Sequence, residues 1–241
     1  MSTSKITFKI IIVLSILFCS VTLTAQEKNS NQLKNYHNFA LDLGYAYRLS
    51  SEPNEMFVNQ TSNSDHYKSL RHGIQIGFSY DYLIKPFLGL GFKTSAFNSS
   101  HSFTYTPNIV PKQDFELKDD EYIFYFGPSI KYIFPTFLDK YNLYARGTFG
   151  YLSFRNSEQA YGLNQASQPS TISSVYKGKN IGWGLDLGLD YSINDFLSIG
   201  CNAGFFGASI KKLKAGEETH SLNNKENLYR LDFTIGVRIR L

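Results

Sequence analysis

Cysteine is nearly absent from this chain. Cys19 and Cys201 are the two it has, and Cys19 falls inside a stretch expected to be removed. No disulfide can then form within one mature chain, which excludes a small disulfide-stapled scaffold. Charge of one sign is also lacking. The formal charge of +4 is too mild for a nucleic-acid partner, and no basic helix or basic-aromatic patch accompanies it. The one long apolar run, "IIIVLSILF", is too short to cross a bilayer as a helix. Helical periodicity is missing from the remainder.

The apolar run has another reading. Lys5 and Lys9 precede it, and the polar tract that follows closes on "TLTAQ", with Ala25 before the expected cleavage point. Residues 1–25 therefore read as an export signal and residues 26–36 as a polar lead-in. Removing the signal discards Lys5 and Lys9 and no acid, leaving a formal charge of +2.

Aromatic residues are abundant, with 17 Tyr and 20 Phe against one Trp. They recur with a period of two, the signature of a half-buried strand. Eight segments carry the pattern: Asn38–Arg48, Gly73–Leu83, Phe87–Phe97, Tyr122–Phe134, Asn142–Phe154, Ile181–Ser192, Phe196–Phe206 and the final stretch "LYRLDFTIGVRIRL". In that last stretch Phe233, Ile235, Val237 and Ile239 share one face, while Arg230, Asp232, Arg238 and Arg240 share the other. The connections alternate between short turns such as "IKP", "PTFLDK" and "IND" and four long polar segments at 49–70, 98–121, 155–180 and 211–226. Long loops at one end and short turns at the other suit a membrane barrel better than a compact soluble domain.

Which face is which follows from volume. An eight-stranded barrel has an interior only just wide enough for side chains to fill, and the aromatic face is too bulky for it. The opposite face is rich in glycine and bears charges of both signs: Asp42, Asp81, Asp186, Asp190 and Asp232 beside Lys93, Lys131, Arg146, Arg230, Arg238 and Arg240. Charges shut inside a barrel need partners, and this mixture supplies them. The expected fold is an all-β, eight-stranded, antiparallel, up-and-down transmembrane barrel over residues 37–241. Its apolar face meets lipid, and its interior is polar, salt-bridged and largely plugged. Aromatics then fall into two interfacial girdles, with Tyr80, Tyr82, Tyr132 and Tyr191 at the short-turn end. Tyr45, Tyr47, Tyr122, Phe124, Tyr151 and Trp183 lie toward the long-loop end.

The segments "GPSIKYIF", "YSINDFLSIG" and "LDFTIGVRIRL" resemble the strand-turn-strand and terminal elements of small Gram-negative outer-membrane β-barrels, in particular the Bacteroidetes-type barrel-domain family. The resemblance covers residues 37–241 and implies architecture and an outer-membrane location more than any activity. Outer-membrane lipid and lipopolysaccharide are the implied surroundings of a monomer, with the long loops free to contact an extracellular partner.

Chemistry-bearing patterns are sparse. His37, His66, His72, His101 and His220 have no metal-ligand spacing. His101 beside Ser102 and His220 beside Ser221 invite a lipid A-modifying enzyme, but neighbours on an extended chain point to opposite faces. No GxSxG turn accompanies them. "DDE" at Asp119–Glu121 reads as a solvated loop end. Lys211, Lys212 and Lys214 open the last long segment, where they could meet lipopolysaccharide phosphates. No catalytic residue, metal or cofactor is assigned. The alternatives are a narrow gated channel for ions or small solutes and, were the faces reversed, a soluble lipocalin-like carrier.

Overall fold

The computed structural model of the chain describes residues 37–49, 68–105, 115–135, 140–162 and 171–241. The expected signal, the lead-in, His66 and much of the "PTFLDK" turn lie outside the described residues.

The described residues form nine strands: β1 (His37–Arg48), β2 (His72–Lys85), β3 (Leu88–Tyr105), β4 (Phe115–Ile133), β5 (Tyr141–Gly162), β6 (Thr171–Ser192), β7 (Leu197–Ala215), β8 (Glu218–Asn227) and β9 (Arg230–Arg240). Each strand is antiparallel to its neighbours, in the order β6-β5-β4-β3-β2-β1-β9-β7-β8, and a further β6–β7 pairing closes the sheet on itself. β8 and β9 both lie against β7 and form one stave interrupted at Leu228–Tyr229. The barrel therefore has eight staves, as the alternation predicts. Closure leaves no unpaired edge for lipid to face, the condition for a sheet to span a bilayer. At the short-turn end the seam is tied by reciprocal bonds, His37 N donating to Leu241 O at 3.0 Å and Leu241 N to His37 O at 2.9 Å.

The direction of each face is unambiguous on β9. Ile235 is 70% exposed and Arg238 is 0% exposed. Leu41, Ile74, Phe126, Ile130, Phe149, Leu185, Leu187 and Phe233 are exposed in the same way, so the outer wall is a continuous apolar belt. The inner wall holds the buried charges. This inversion of the soluble pattern is the one expected of a transmembrane barrel. No helix among the described residues is long and apolar enough to cross a membrane.

Three of the four segments expected as loops differ from expectation. The β3–β4 ladder continues from Asn98↔Tyr122 to Tyr105↔Phe115, and β5–β6 from Arg155↔Lys177 to Tyr161↔Thr171. Residues 211–226 are a β-hairpin, turned by Gly216 and Glu217 with Gly216 at φ 61°, in the left-handed region that glycine enters without strain. The strands of 22 residues in β5 and β6 exceed the roughly ten residues that a tilted span requires. The staves thus project as a collar beyond the apolar belt. The alternation of apolar and polar residues fades there because the outer wall meets water instead of lipid, and the ladder persists because backbone groups still need partners.

Candidate functional site

The interior is built from residues of inward parity on every stave. Toward the short-turn end, Arg238 Nη2 lies 2.7 Å from Asp42 Oδ1 and its Nε lies 2.8 Å from Asp190 Oδ1. Arg146 Nη2 is 2.6 Å from Asp81 Oδ2. Lys131 Nζ sits between Asp81 and Asp190 at 3.8 and 3.9 Å, and 4.0 Å over the Tyr144 ring. Lys93 donates to both Asp186 oxygens at 2.7 Å. Arg240, half-buried, donates to Ser192 Oγ at 3.1 Å. Glycine gives this network its room. A Cβ on Gly188 would collide with Asn202 and the Tyr144 ring, and one on Gly200 would collide with Asp190.

Farther along the barrel the lining changes. Arg230 binds Asp232 through Nε at 2.5 Å and Nη2 at 3.0 Å, with its guanidinium over the Phe97 and Phe206 rings at 5.0 and 5.1 Å. Around these rings lies a buried apolar cluster that includes Ile123, Tyr125, Leu152, Phe154, Ile210, Leu213, Leu222 and Leu228. Ile123 pairs with Phe97 on one side and Phe154 on the other, so the cluster crosses the interior wall from stave to stave. This layer was not expected. The sequence reading turns all bulky apolar groups outward, whereas the collar has its own small core.

All eleven charges assigned to the interior lie on the inner wall. Three further members were missed. Arg48 pairs with Glu121 and, at 2.8 Å, with Glu226, and Arg48 Nη2 also donates to Asn227 O at 3.0 Å. Glu121 is thus not a solvated loop end but an inward-facing residue of β4. Adding this triad brings the interior to seven cations (Arg48, Lys93, Lys131, Arg146, Arg230, Arg238, Arg240) and seven carboxylates (Asp42, Asp81, Glu121, Asp186, Asp190, Glu226, Asp232). Among these fourteen groups the formal charge balances, as a low-dielectric enclosure favours, with Asp119 and Glu158 farther out in the collar. Arg48 shared the parity of Asp42 and Ala46 and was legible. Glu121 and Glu226 lay in segments expected as loops.

The aromatics expected at the interfaces are on the outer wall. Tyr80, half-buried, packs on Phe39 and Phe92 and bonds His37 Nδ1 through its hydroxyl at 2.9 Å. Tyr82 is exposed beside His37. Tyr132 packs edge-on to Phe87, and Tyr191 packs against Tyr141. At the collar end Tyr45 bonds the His72 ring, and Tyr47 packs against it. Tyr122 and Tyr151 are exposed, Phe124 is half-buried, and Trp183 packs on Phe205 with centroids 5.3 Å apart. Lys211, Lys212 and Lys214 are exposed, on the extension of β7 rather than in a loop. His101 and Ser102 occupy successive positions of β3, and His220 and Ser221 of β8, so neither pair shares a face. Among the described residues no group of three His, Cys, Asp or Glu side chains could hold a metal ion.

No protein-family model matches the chain, and no curated protein does. Among solved structures it is similar to Neisserial surface protein A, at 15% identity and TM-score 0.43, covering 85% of this chain and 97% of that one. It is also similar to Ail, the attachment invasion locus protein of Yersinia pestis, at 14% identity and TM-score 0.39, covering 85% and 98%. A major outer membrane protein from Thermus thermophilus matches at 10% identity and TM-score 0.46, covering 85% and 99%. Likenesses of this size carry no functional inference. The closed ring, the apolar outer belt and the ion-paired interior stand on their own: the chain folds as an eight-staved transmembrane β-barrel.

Proposed function

We infer that this protein is an integral outer-membrane barrel of the Bacteroidetes type, exported through a cleaved signal, whose role is structural or surface-interactive rather than transport or catalysis. The observation that carries the reading is the two-part filling of the interior. An ion-paired network occupies the belt, and a buried apolar layer closes the collar above it. A conducting path would need a continuous wet lining, and the apolar layer interrupts one. The collar and the segments it carries are then the part offered to the surroundings, supported by their length beyond the belt.

The direct test is single-channel recording of the refolded full chain in a planar bilayer. The expected result is no unitary conductance, both for the native chain and for Arg146→Ala, because the apolar layer remains. Stepwise conductance that rises in Arg146→Ala would favour a gated pore and overturn the plugged reading. An enzyme that modifies lipid A would instead need a clustered His, Ser and carboxylate at the rim, and the opposed faces of His101–Ser102 and His220–Ser221 weigh against it.

A further inference from the structure

The outer wall of the collar carries a row of like charge that packing does not explain. Arg155 of β5 is the cross-strand partner of Lys177 of β6, and Lys177 is the partner of Lys214 of β7. All three side chains are exposed. Cations placed directly opposite one another across a ladder repel, and here three stand abreast. Lys179 and Lys212, also exposed, flank the row.

A bulge brings the lysines together. Between the pairs Lys177↔Lys214 and Gly182↔Ala208 the β6–β7 register shifts, with residues 178–181 opposite residues 209–213. The extra residue in β7 twists that strand. Ile210 and Leu213 are both buried, so Lys211 and Lys212 turn outward in succession. The inner side of the bulge is tight, since a Cβ on Gly178 would press on Ile210 and Leu213. Its outer side opens as a groove of about 620 Å³ lined by Lys177, Lys179, Lys212 and Lys214, with Val175 and Thr219. Lys211 is exposed but does not line it. Of the nearby carboxylates, Asp120 pairs with Lys118 at 3.3 Å, while Glu217 and Glu218 sit exposed at the hairpin turn, Glu218 3.5 Å from His220. Among the described residues no ion pair reaches the row.

The position of the groove identifies the counterion. On β6 it begins beyond Trp183, which packs with Phe205 at the outer girdle, and it faces away from the barrel axis toward the surrounding leaflet. Phosphate groups of an outer-leaflet lipid lie at that depth, and clustered lysines beside a membrane attract anionic headgroups. We propose that Arg155, Lys177, Lys179, Lys212 and Lys214 form a binding site for the phosphorylated headgroup of an outer-leaflet glycolipid, the lipid A portion of lipopolysaccharide. The clamp is made by three staves, β5, β6 and β7, and the bulge between the last two. It rests on the outer-membrane reading above and extends the contact expected from Lys211, Lys212 and Lys214 to β5 and β6, leaving Lys211 outside the groove.

The test uses the full chain folded in uncharged maltoside micelles, with native mass spectrometry counting bound bis-phosphorylated lipid A. Its expected result is one retained lipid per barrel, lost when 0.5 M salt is added, roughly the concentration at which exposed charges are screened within a few ångströms. Combined Lys177→Gln, Lys179→Gln, Lys212→Gln and Lys214→Gln should weaken retention more than about tenfold, since each lysine near an anionic surface contributes to attraction. Lys85→Gln with Lys140→Gln, exposed cations at the short-turn end, should leave it unchanged. Equal loss in that control would show unspecific attraction and overturn the site, as would equal retention of dephosphorylated lipid A. Displacement of the lipid by equimolar inorganic pyrophosphate would overturn the lipid as the occupant. Each sample is also run unboiled on an SDS gel. A fast-migrating band certifies the barrel, so a folded barrel without lipid A sinks this proposal alone. Failure to fold in any amphiphile sinks the outer-membrane reading beneath it.

Discussion

At the residue scale, the interior is held by buried charges that face opposite charges across the lumen. Arg238 is fully buried and serves Asp42 and Asp190 together, with Lys131 3.9 Å from Asp190. Removing one member of a buried ion pair strands the other, a loss of about 3–5 kcal/mol. Arg238→Met keeps most of the side-chain volume and should lower the urea stability of the barrel in vesicles by that order. A loss under about 1 kcal/mol, the worth of an exposed pair, would mean that water reaches Asp42 and Asp190 freely. Arg240 lies two positions farther along β9, half-buried and bonded to Ser192. Arg240→Met should cost far less. The contrast between two arginines of one strand separates enclosure from charge.

At the element scale, the collar is where pH acts. Glu158 on β5 stands opposite Asp119 of β4 and Ser174 of β6. Burial, together with the Asp119 carboxylate, raises it from 4.5 to about 8. An acid whose folded value is raised holds its proton longer when folded than when unfolded. The collar is therefore most stable below the unfolded value and loses stability as pH climbs from 4.5 toward 8. Amide exchange of residues 115–119 and 155–162, corrected for its intrinsic rate, should speed up across that interval. Glu158→Gln should weaken the trend, most of all above pH 7, and protect these amides most at the alkaline end; the part that remains below pH 7 belongs to Glu121 of β4, which burial raises to about 7. An unchanged trend in the variant would assign it to another group. The belt, carried by other residues of the same staves, should exchange slowly at every pH.

At the scale of the whole molecule, the question is what surrounds the apolar wall. Ile235 lies among the most exposed residues of the belt, on the face opposite Arg238. Arginine at the lipid-facing midplane of a barrel costs about 2–4 kcal/mol. Ile235→Arg should lose that much stability in vesicles and reduce the folded, heat-modifiable band. On the surface of a soluble protein the same change would be nearly neutral, so an unaffected variant would return the lipocalin-like alternative. Cys201, also exposed on this wall, offers a check without a new charge: a lipid-soluble maleimide should label it in vesicles and a membrane-impermeant one should not.

The architecture was legible because lipid makes one face of each stave uniformly apolar. Period two over "NFALDLGYAYR" or "LDFTIGVRIRL" is therefore a local signal, and counting such segments sufficed to predict eight staves. Volume alone then decided which face turns inward, which assigns Asp42, Asp81 and Arg238 to the interior. Beyond the belt that logic lapses. Water outside the collar tolerates Ser, Thr, Lys and Asn as readily as a loop does, so residues 98–105, 115–121 and 171–180 carried no strand signal, although the ladder runs through them. Only the tertiary structure could pair Arg48 with Glu121 and Glu226, because those partners are 73 and 178 residues away along the chain. Only the tertiary structure could bring Arg155, Lys177 and Lys214 abreast, because register and a one-residue bulge set which side chains meet across strands. The chain's own alternation determined what faces lipid; closure of the ring decided which charges face one another.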